Sequence, residues 1–149
     1  MKVAVLMGSP NDRPKMAPAL EVLADFAVEA TEHVMSAHRT PGEVAAFARD
    51  ARQAGYGVLI CGAGMAAHLA GAVAAHSTLP VIGVPLSGSA LGGLDALYAT
   101  VQMPRGIPVA TVAVDGAANA ALLAVEILAV GDGGLAHRLA EHRRQWGRG

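Results

Sequence analysis

The chain has 149 residues, a formal net charge of −1 and a pI of about 6.6, which fits one α/β domain over 1–149 and excludes the basic face a nucleic-acid partner requires. Hydrophobic residues make up 53% and charged residues 15%, too apolar a balance for a disordered chain. Aromatics at 3% leave the core to Ala, Val, Leu and Ile, and a single cysteine, Cys61, excludes an internal disulfide framework and suits a reducing, cytoplasmic setting.

Residues 2–7 are a short apolar run that stops at Gly8-Ser9-Pro10, the pattern of a buried strand ending in a turn. The chain thus opens directly into a strand, without a signal peptide's charged and apolar regions. Met16, Leu20 and Leu23 recur at helical spacing within 14–26. Residues 28–35 alternate as a second strand. Pro41 begins a helix over 41–54 in its first turn, where a missing N–H costs little, and Gly55 ends it. A third strand at 58–61 runs into Gly62-Ala63-Gly64, followed by a small-residue helix at 66–75 and a fourth strand at 80–84. Residues 86–93 form a Gly/Ser loop able to fold over a site. A short helix at 94–102, a fifth strand at 108–114 and helices at 116–130 and 134–146 complete the chain. Strand and helix alternate throughout, so right-handed crossovers give a parallel sheet covered on both faces.

Mean hydropathy is +0.41, yet the longest apolar stretch, 107–130, is broken by Asp115, Gly116, Asn119 and Glu126. A spanning helix needs about 20 residues with few charges, so no membrane span is expected. The helix at 117–130 is apolar almost all round, and the last helix carries Leu135, Leu139 and Trp146 on one side. A small domain has little interior to hide such surfaces, so both predict a subunit interface, the last helix packing on a neighbour. Arg138, Arg143, Arg144 and Arg148 form a basic tail that reads as a solvated helix end.

Ligands of an open parallel sheet bind beyond the carboxyl ends of its strands, which directs attention to the segments that follow them. In Gly8-Ser9-Pro10-Asn11-Asp12, Ser9 and Asn11 offer hydrogen bonds, the next helix N-terminus favours an anion, and Asp12 suits two ribose hydroxyls; helix capping explains the same residues equally well. In Ser36-Ala37-His38-Arg39-Thr40-Pro41, Ser36 and the planar fork of Arg39 suit a phosphate, and His38 is the residue type that exchanges a proton near neutral pH; a Thr40 cap beside exposed side chains is a fair alternative for Arg39 and a weaker one for His38, which lies at the same sheet edge as the first loop. Gly62-Ala63-Gly64-Met65-Ala66-Ala67-His68 matches a dinucleotide-binding pattern but lacks the acidic residue about 20 positions on, so its glycines serve close approach of a ligand to the backbone. His68 falls in the predicted helix and reads as a structural, hydrogen-bonded histidine. The six histidines are scattered, with no metal-binding spacing, and no P-loop or nucleophile elbow is present. Neither a metal nor a cofactor is expected.

The segments Ser36-Ala37-His38-Arg39-Thr40-Pro41, Gly62-Ala63-Gly64 with Ala66-Ala67-His68-Leu69, Pro80-Val81-Ile82-Gly83-Val84-Pro85, Val101-Gln102-Met103-Pro104-Arg105-Gly106-Ile107-Pro108-Val109-Ala110 and Asn119-Ala120-Ala121-Leu122-Leu123-Ala124 together resemble the PurE family, over about Val3 to Leu128. The resemblance implies a three-layer flavodoxin-like (Rossmann-like) fold with a central parallel sheet of about five strands, and a homo-octamer with sites at subunit junctions. It implies an isomerase of purine biosynthesis, converting N5-carboxyaminoimidazole ribonucleotide to the 4-carboxy isomer with His38 as acid/base. Direct carboxylation of aminoimidazole ribonucleotide by carbon dioxide is the sister activity. Ser9, Asn11, Asp12, Ser36 and Arg39 fall on substrate-binding positions, and Gly62, Ala63, Gly64, Met65 and Ala66 on the wall around the base. The family's first motif usually reads Gly-Ser-x-Ser-Asp-Trp, where this chain has Gly8-Ser9-Pro10-Asn11-Asp12-Arg13; Met65 stands where Gly is common and Ala70 where Pro is common. From other classes, a dinucleotide-dependent oxidoreductase fails on the missing acid, and a non-catalytic nucleotide-binding protein has only the altered first motif in its favour.

Overall fold

The computed structural model describes residues 1–146; Arg148 and the side chain of Trp146 lie outside the described residues. Five strands form one all-parallel sheet: β1 (Lys2–Met7), β2 (Ala30–Val34), β3 (Tyr56–Gly64), β4 (Val81–Leu86) and β5 (Ala110–Thr111), in the order β2-β1-β3-β4-β5. This is the flavodoxin-like order, with its switch point between β1 and β3. Helices α1 (Arg13–Asp25), α5 (Ala117–Ala129) and α6 (Gly133–Trp146) cover one face, and α2 (Pro41–Asp50), α3 (Leu69–His76) and α4 (Leu94–Val101) the other. The three-layer α/β expectation holds.

Alternation along β1 builds the layers. Val3, Val5 and Met7 point into the α1/α5 core, while Ala4 and Leu6 point into the α2/α3 core. β4 is buried at all six positions, so a strand covered on both faces reads as a continuous apolar run. β2 lies at the edge and keeps its side chains half-buried or exposed.

Several elements depart from their predicted limits: β3 extends over Tyr56–Gly64 against a predicted 58–61, β2 and β4 shift by up to two residues, and three further departures have a local cause. β5 forms a ladder only at Ala110–Thr111, because Pro108 cannot donate and Asp115 turns the chain away at a φ of 58°. Two single bonds, Val112 N to Gly83 O at 3.1 Å and Asp115 N to Pro85 O at 2.8 Å, still hold the chain to β4. Regular helix in α2 stops at Asp50, short of the predicted 54, and the chain turns at Gly55 with a φ of 87°. α3 begins at Leu69 rather than 66, because Met65 adopts a φ of 54° and the next amides close tight turns, Ala67 N to Met65 O at 2.9 Å and His68 N to Ala66 O at 2.8 Å. His68 therefore stands at the N-cap of α3 and not within it.

The interface argument from α5 also changes. Its all-round apolar surface is used within the chain: Ala117, Ala120, Ala121, Ala124, Val125 and Leu128 are buried, with Leu122, Leu123 and Ile127 packed against the same core. α5 lies between α1 and α6 on the sheet, which gives a helix three apolar neighbours. On α6, Leu135 is buried and Leu139 packs beside it, Arg138 donates from Nε to Phe26 O at 3.2 Å, and Arg143 pairs with Glu126. His142 is half-buried against the Phe26 ring. Exposed apolar side chains concentrate instead on α4, where Leu94, Tyr98 and Val101 form a stripe at helical spacing, with Leu91 just before it. No helix among the described residues is long and apolar enough to cross a membrane.

Candidate active site

At the carboxyl ends of β1 to β4 the loops converge on one cleft of about 610 Å³. Of the residues singled out from the sequence, Ser9, Asn11, Asp12, Ser36, His38, Arg39, Ala63, Gly64, Met65 and Ala66 all line it. Gly62 does not. It is buried one step inside the strand, where a Cβ would meet Met16 Sδ at 2.3 Å, so that glycine makes room for α1. The lining also includes Lys15, His68, Ser87, Gly88 and Ser89.

The first loop is a single 3-10 turn, Pro10–Asp12, in which Ser9 Oγ accepts the Asn11 N–H at 3.2 Å. Asp12 occupies the N-cap position of α1 but makes no side-chain cap, so its carboxylate is left for the cleft. Burial pushes its pKa up, partly opposed by the Ser9 backbone hydrogen bond and the Lys15 charge. In the second loop Ser36 Oγ accepts from the backbone N–H groups of His38 and Arg39 at 3.3 and 3.2 Å. Thr40 occupies the N-cap position of α2 but makes no side-chain cap: its Oγ1 accepts from Ser36 N at 3.0 Å and donates to Ser36 O at 3.3 Å. The Ser36–Thr40 turn thus locks the backbone that presents His38 and Arg39, whose side chains are both exposed.

His38 Nε2 lies 2.7 Å from His68 Nδ1, the rings 4.8 Å apart and edge-on at 77°. One nitrogen must donate and the other accept, so each ring fixes the tautomer of its partner. His68 is hydrogen-bonded, as expected, but its partner is the very histidine picked out as acid/base. The late start of α3 brings them together, and no helical pattern in the sequence signals it.

The fourth loop is fastened. Asp115 Oδ1 accepts from Ser87 N at 2.9 Å and Oδ2 from Ser87 Oγ at 2.5 Å, while Lys15 Nζ donates to Ser87 O at 2.6 Å. Burial raises the Asp115 pKa, but the Ser87 hydrogen bonds and Lys15 outweigh it and hold the carboxyl below its usual range. No group of three or more His, Cys, Asp or Glu side chains that could hold a metal occurs among the described residues. Cys61 is fully buried in β3 and burial pushes its thiol pKa up, leaving it no nucleophilic role.

A family model described as AIR carboxylase matches residues 2–148. The N5-carboxyaminoimidazole ribonucleotide mutase of Pyrococcus abyssi is 52% identical over 142 residues, 95% of this chain and 82% of its own length. The Escherichia coli K12 protein of the same name is 50% identical over 145 residues, 96% of this chain and 86% of its own. The phosphoribosylaminoimidazole carboxylase of Ogataea methanolica is 55% identical over 130 residues, 87% of this chain but 24% of that protein. Among solved structures, Treponema denticola PurE superposes with a TM-score of 0.90 at 27% identity, over 98% of this chain and 91% of that one.

Proposed function

The chain belongs to the AIR carboxylase family, and we propose that it is the isomerase of purine biosynthesis that converts N5-carboxyaminoimidazole ribonucleotide to 4-carboxy-5-aminoimidazole ribonucleotide. The observation that carries this reading is one cleft in which an anchored histidine, an arginine, a carboxylate and a backbone wall face a single volume, in a chain half-identical, along nearly its own whole length, to named mutases of which it covers 82% and 86%. Arg39 and Ser36 suit the phosphate, Asp12 the ribose hydroxyls, and the Ala63–Ala66 backbone the flat base.

His38 carries the proton. As imidazolium it donates to the exocyclic nitrogen of the carbamate. The nitrogen–carbon bond breaks, carbon dioxide leaves, and His38 is neutral. Carbon 4 of the electron-rich ring then attacks the trapped carbon dioxide, forming the carbon–carbon bond. His38 takes the proton from carbon 4 and returns to its starting state, so the atoms balance with no co-reactant. The cleft's part is to hold carbon dioxide against the ring, a proximity effect worth up to about 7–11 kcal/mol in favourable systems.

Incubation of freshly made N5-carboxyaminoimidazole ribonucleotide, with neither ATP nor bicarbonate added, tests the reading. Conversion to the carbon-4 isomer supports it. Product only from aminoimidazole ribonucleotide and abundant bicarbonate would establish direct carboxylation, the second reading, which the carboxylase relative favours. His38→Asn should bind nucleotide and lose turnover, whereas Arg39→Ala should weaken binding through the phosphate.

The same proposal places the enzyme in the cytoplasm as a single-domain subunit of a homo-octamer, its cleft completed at subunit junctions. Support comes from the α4 stripe, where Tyr98 is 58% and Leu94 48% exposed, an apolar surface an isolated subunit leaves uncovered. The outer side of α6 would meet a neighbour in that assembly. Light scattering on the purified chain tests this; a monomer at micromolar concentration refutes it.

A further inference from the structure

We infer that Lys15 is a positioning residue of the substrate cleft: together with Asp115 it clamps Ser87 and so fixes the 87–89 wall. The inference deepens the proposed function and rests on it.

Every polar group of Ser87 is engaged. Its N–H donates to Asp115 Oδ1 at 2.9 Å and its hydroxyl to Asp115 Oδ2 at 2.5 Å. Its hydroxyl and carbonyl oxygens accept from Lys15 Nζ at 2.5 and 2.6 Å. The ammonium also sits 3.6 Å from Asp115 Oδ1. One residue after β4 is thereby tied to the first turn of α1 and to the chain beyond β5, three segments that meet only at this end of the sheet.

The loop needs such a clamp. Gly88 follows at a φ of 121°, with Gly92 and Gly93 also in the left-handed region, so the segment has more backbone freedom than ordinary residues allow. Ser89 is held from the other side, donating from Oγ to Asp95 Oδ1 at 2.9 Å and accepting the Leu91 N–H at 3.1 Å. Ser87, Gly88 and Ser89 line the cleft, and the Lys15 and Asp115 side chains are 34% and 39% exposed. The sequence suggests a loop free to fold over a site; the contacts instead describe a fixed wall. Of an ammonium's three N–H groups, Ser87 takes two.

Lys15→Met keeps the stem length and removes the donor, and Asp115→Asn keeps the shape and removes the charge. In the full-length protein, either change should raise the KM for N5-carboxyaminoimidazole ribonucleotide about tenfold, as the loss of a charged hydrogen bond would, with kcat falling less than about threefold. The double variant should be no worse than the poorer single, because both act on one clamp. Lys15→Arg should recover part of the loss. Native-state amide exchange at Ser87 should quicken about tenfold in Lys15→Met, a readout independent of turnover. An unchanged KM in Lys15→Met beside an active parent, or additive effects in the double variant, overturns the inference. An inactive parent refutes the proposed function instead, and amide exchange then still decides the clamp: a Ser87 rate unaffected by Lys15→Met removes it.

Discussion

Replacing His68 by Ala would remove the imidazole 2.7 Å from His38 Nε2, and the size of the effect distinguishes two roles. If His68 only fixes the tautomer and orientation of His38, the loss is that of one hydrogen bond, net about 0.5–1.5 kcal/mol. At 1.36 kcal/mol per factor of ten this lowers the rate of the chemical step about 2- to 13-fold, and toward the smaller figure because both rings are exposed. His38→Asn removes the proton carrier itself, and loss of a general acid/base costs about 10²–10⁴-fold. The expected order is therefore parent, then His68→Ala close behind, then His38→Asn far below. Single-turnover isomerisation with enzyme in saturating excess over substrate is the appropriate assay, since it isolates chemistry from product release. Equal losses in the two variants would make His68 a second proton carrier and refute the positioning role. An unchanged rate in His68→Ala would remove the pair from the mechanism.

Further outcomes follow from packing and charge. Alanine at Gly83 would place a Cβ 2.3 Å from Thr100 Cγ2 and 3.1 Å from Val109 Cγ1; Thr100 is pinned by its 2.7 Å bond to Ala96 O, so the cost is set near the upper end of overpacking, about 3 kcal/mol. Gly62→Ala meets an equally close atom, Met16 Sδ at 2.3 Å, but a thioether chain re-packs and about 1 kcal/mol is expected; urea midpoints in the opposite order would refute this. Because Asp115 has its pKa held below 3.8, its ionised form stabilises the fold above that value, and the stability is lost as pH falls through the folded pKa. Asp115→Asn should therefore be less stable than the parent at neutral pH and converge with it below pH 3.8; a gap independent of pH contradicts the assignment. Cys61, buried and with its pKa raised, should resist alkylation in the native state and react only on unfolding, as followed by mass shift.

Much of the sheet was legible because its strands are covered on both faces. Residues 2–7 form an uninterrupted apolar run and β1 spans those same residues; the helix predicted at 94–102 is α4 to within one residue. Edge elements were less legible. β5 has too few partners for its pattern to fix its length, and the two bonds beyond Thr111 are matters of tertiary position. The cleft followed from the rule that ligands lie past strand carboxyl ends, which brought ten of the eleven proposed site residues to its lining. Gly62 lies outside that lining, and a glycine can serve a ligand or a neighbouring side chain equally well; here Met16 packs against it. Lys15 and Asp115 carried no signal, since they lie 100 residues apart in the numbering and meet through Ser87.

Met65 shows why the departure of this chain from the family pattern is informative. Its φ of 54° lies in the left-handed region, where an L side chain costs about 1–2 kcal/mol and where glycine sits at no such cost. That turn delays α3 and places His68 beside His38, so the backbone is required whatever the side chain. Met65→Gly should then be neutral to stabilising by up to about 1 kcal/mol, the relief of strain set against the glycine's added unfolded-state entropy. Met65 is 66% exposed on the cleft lining, and its flexible thioether suits apolar cover over a flat ring. Removing it should raise KM severalfold while leaving the single-turnover rate near that of the parent. A variant both more stable and unchanged in KM would show that Met65 covers nothing. A variant less stable by more than about 1 kcal/mol would refute the claim that the turn, and not the side chain, shapes this lip of the cleft.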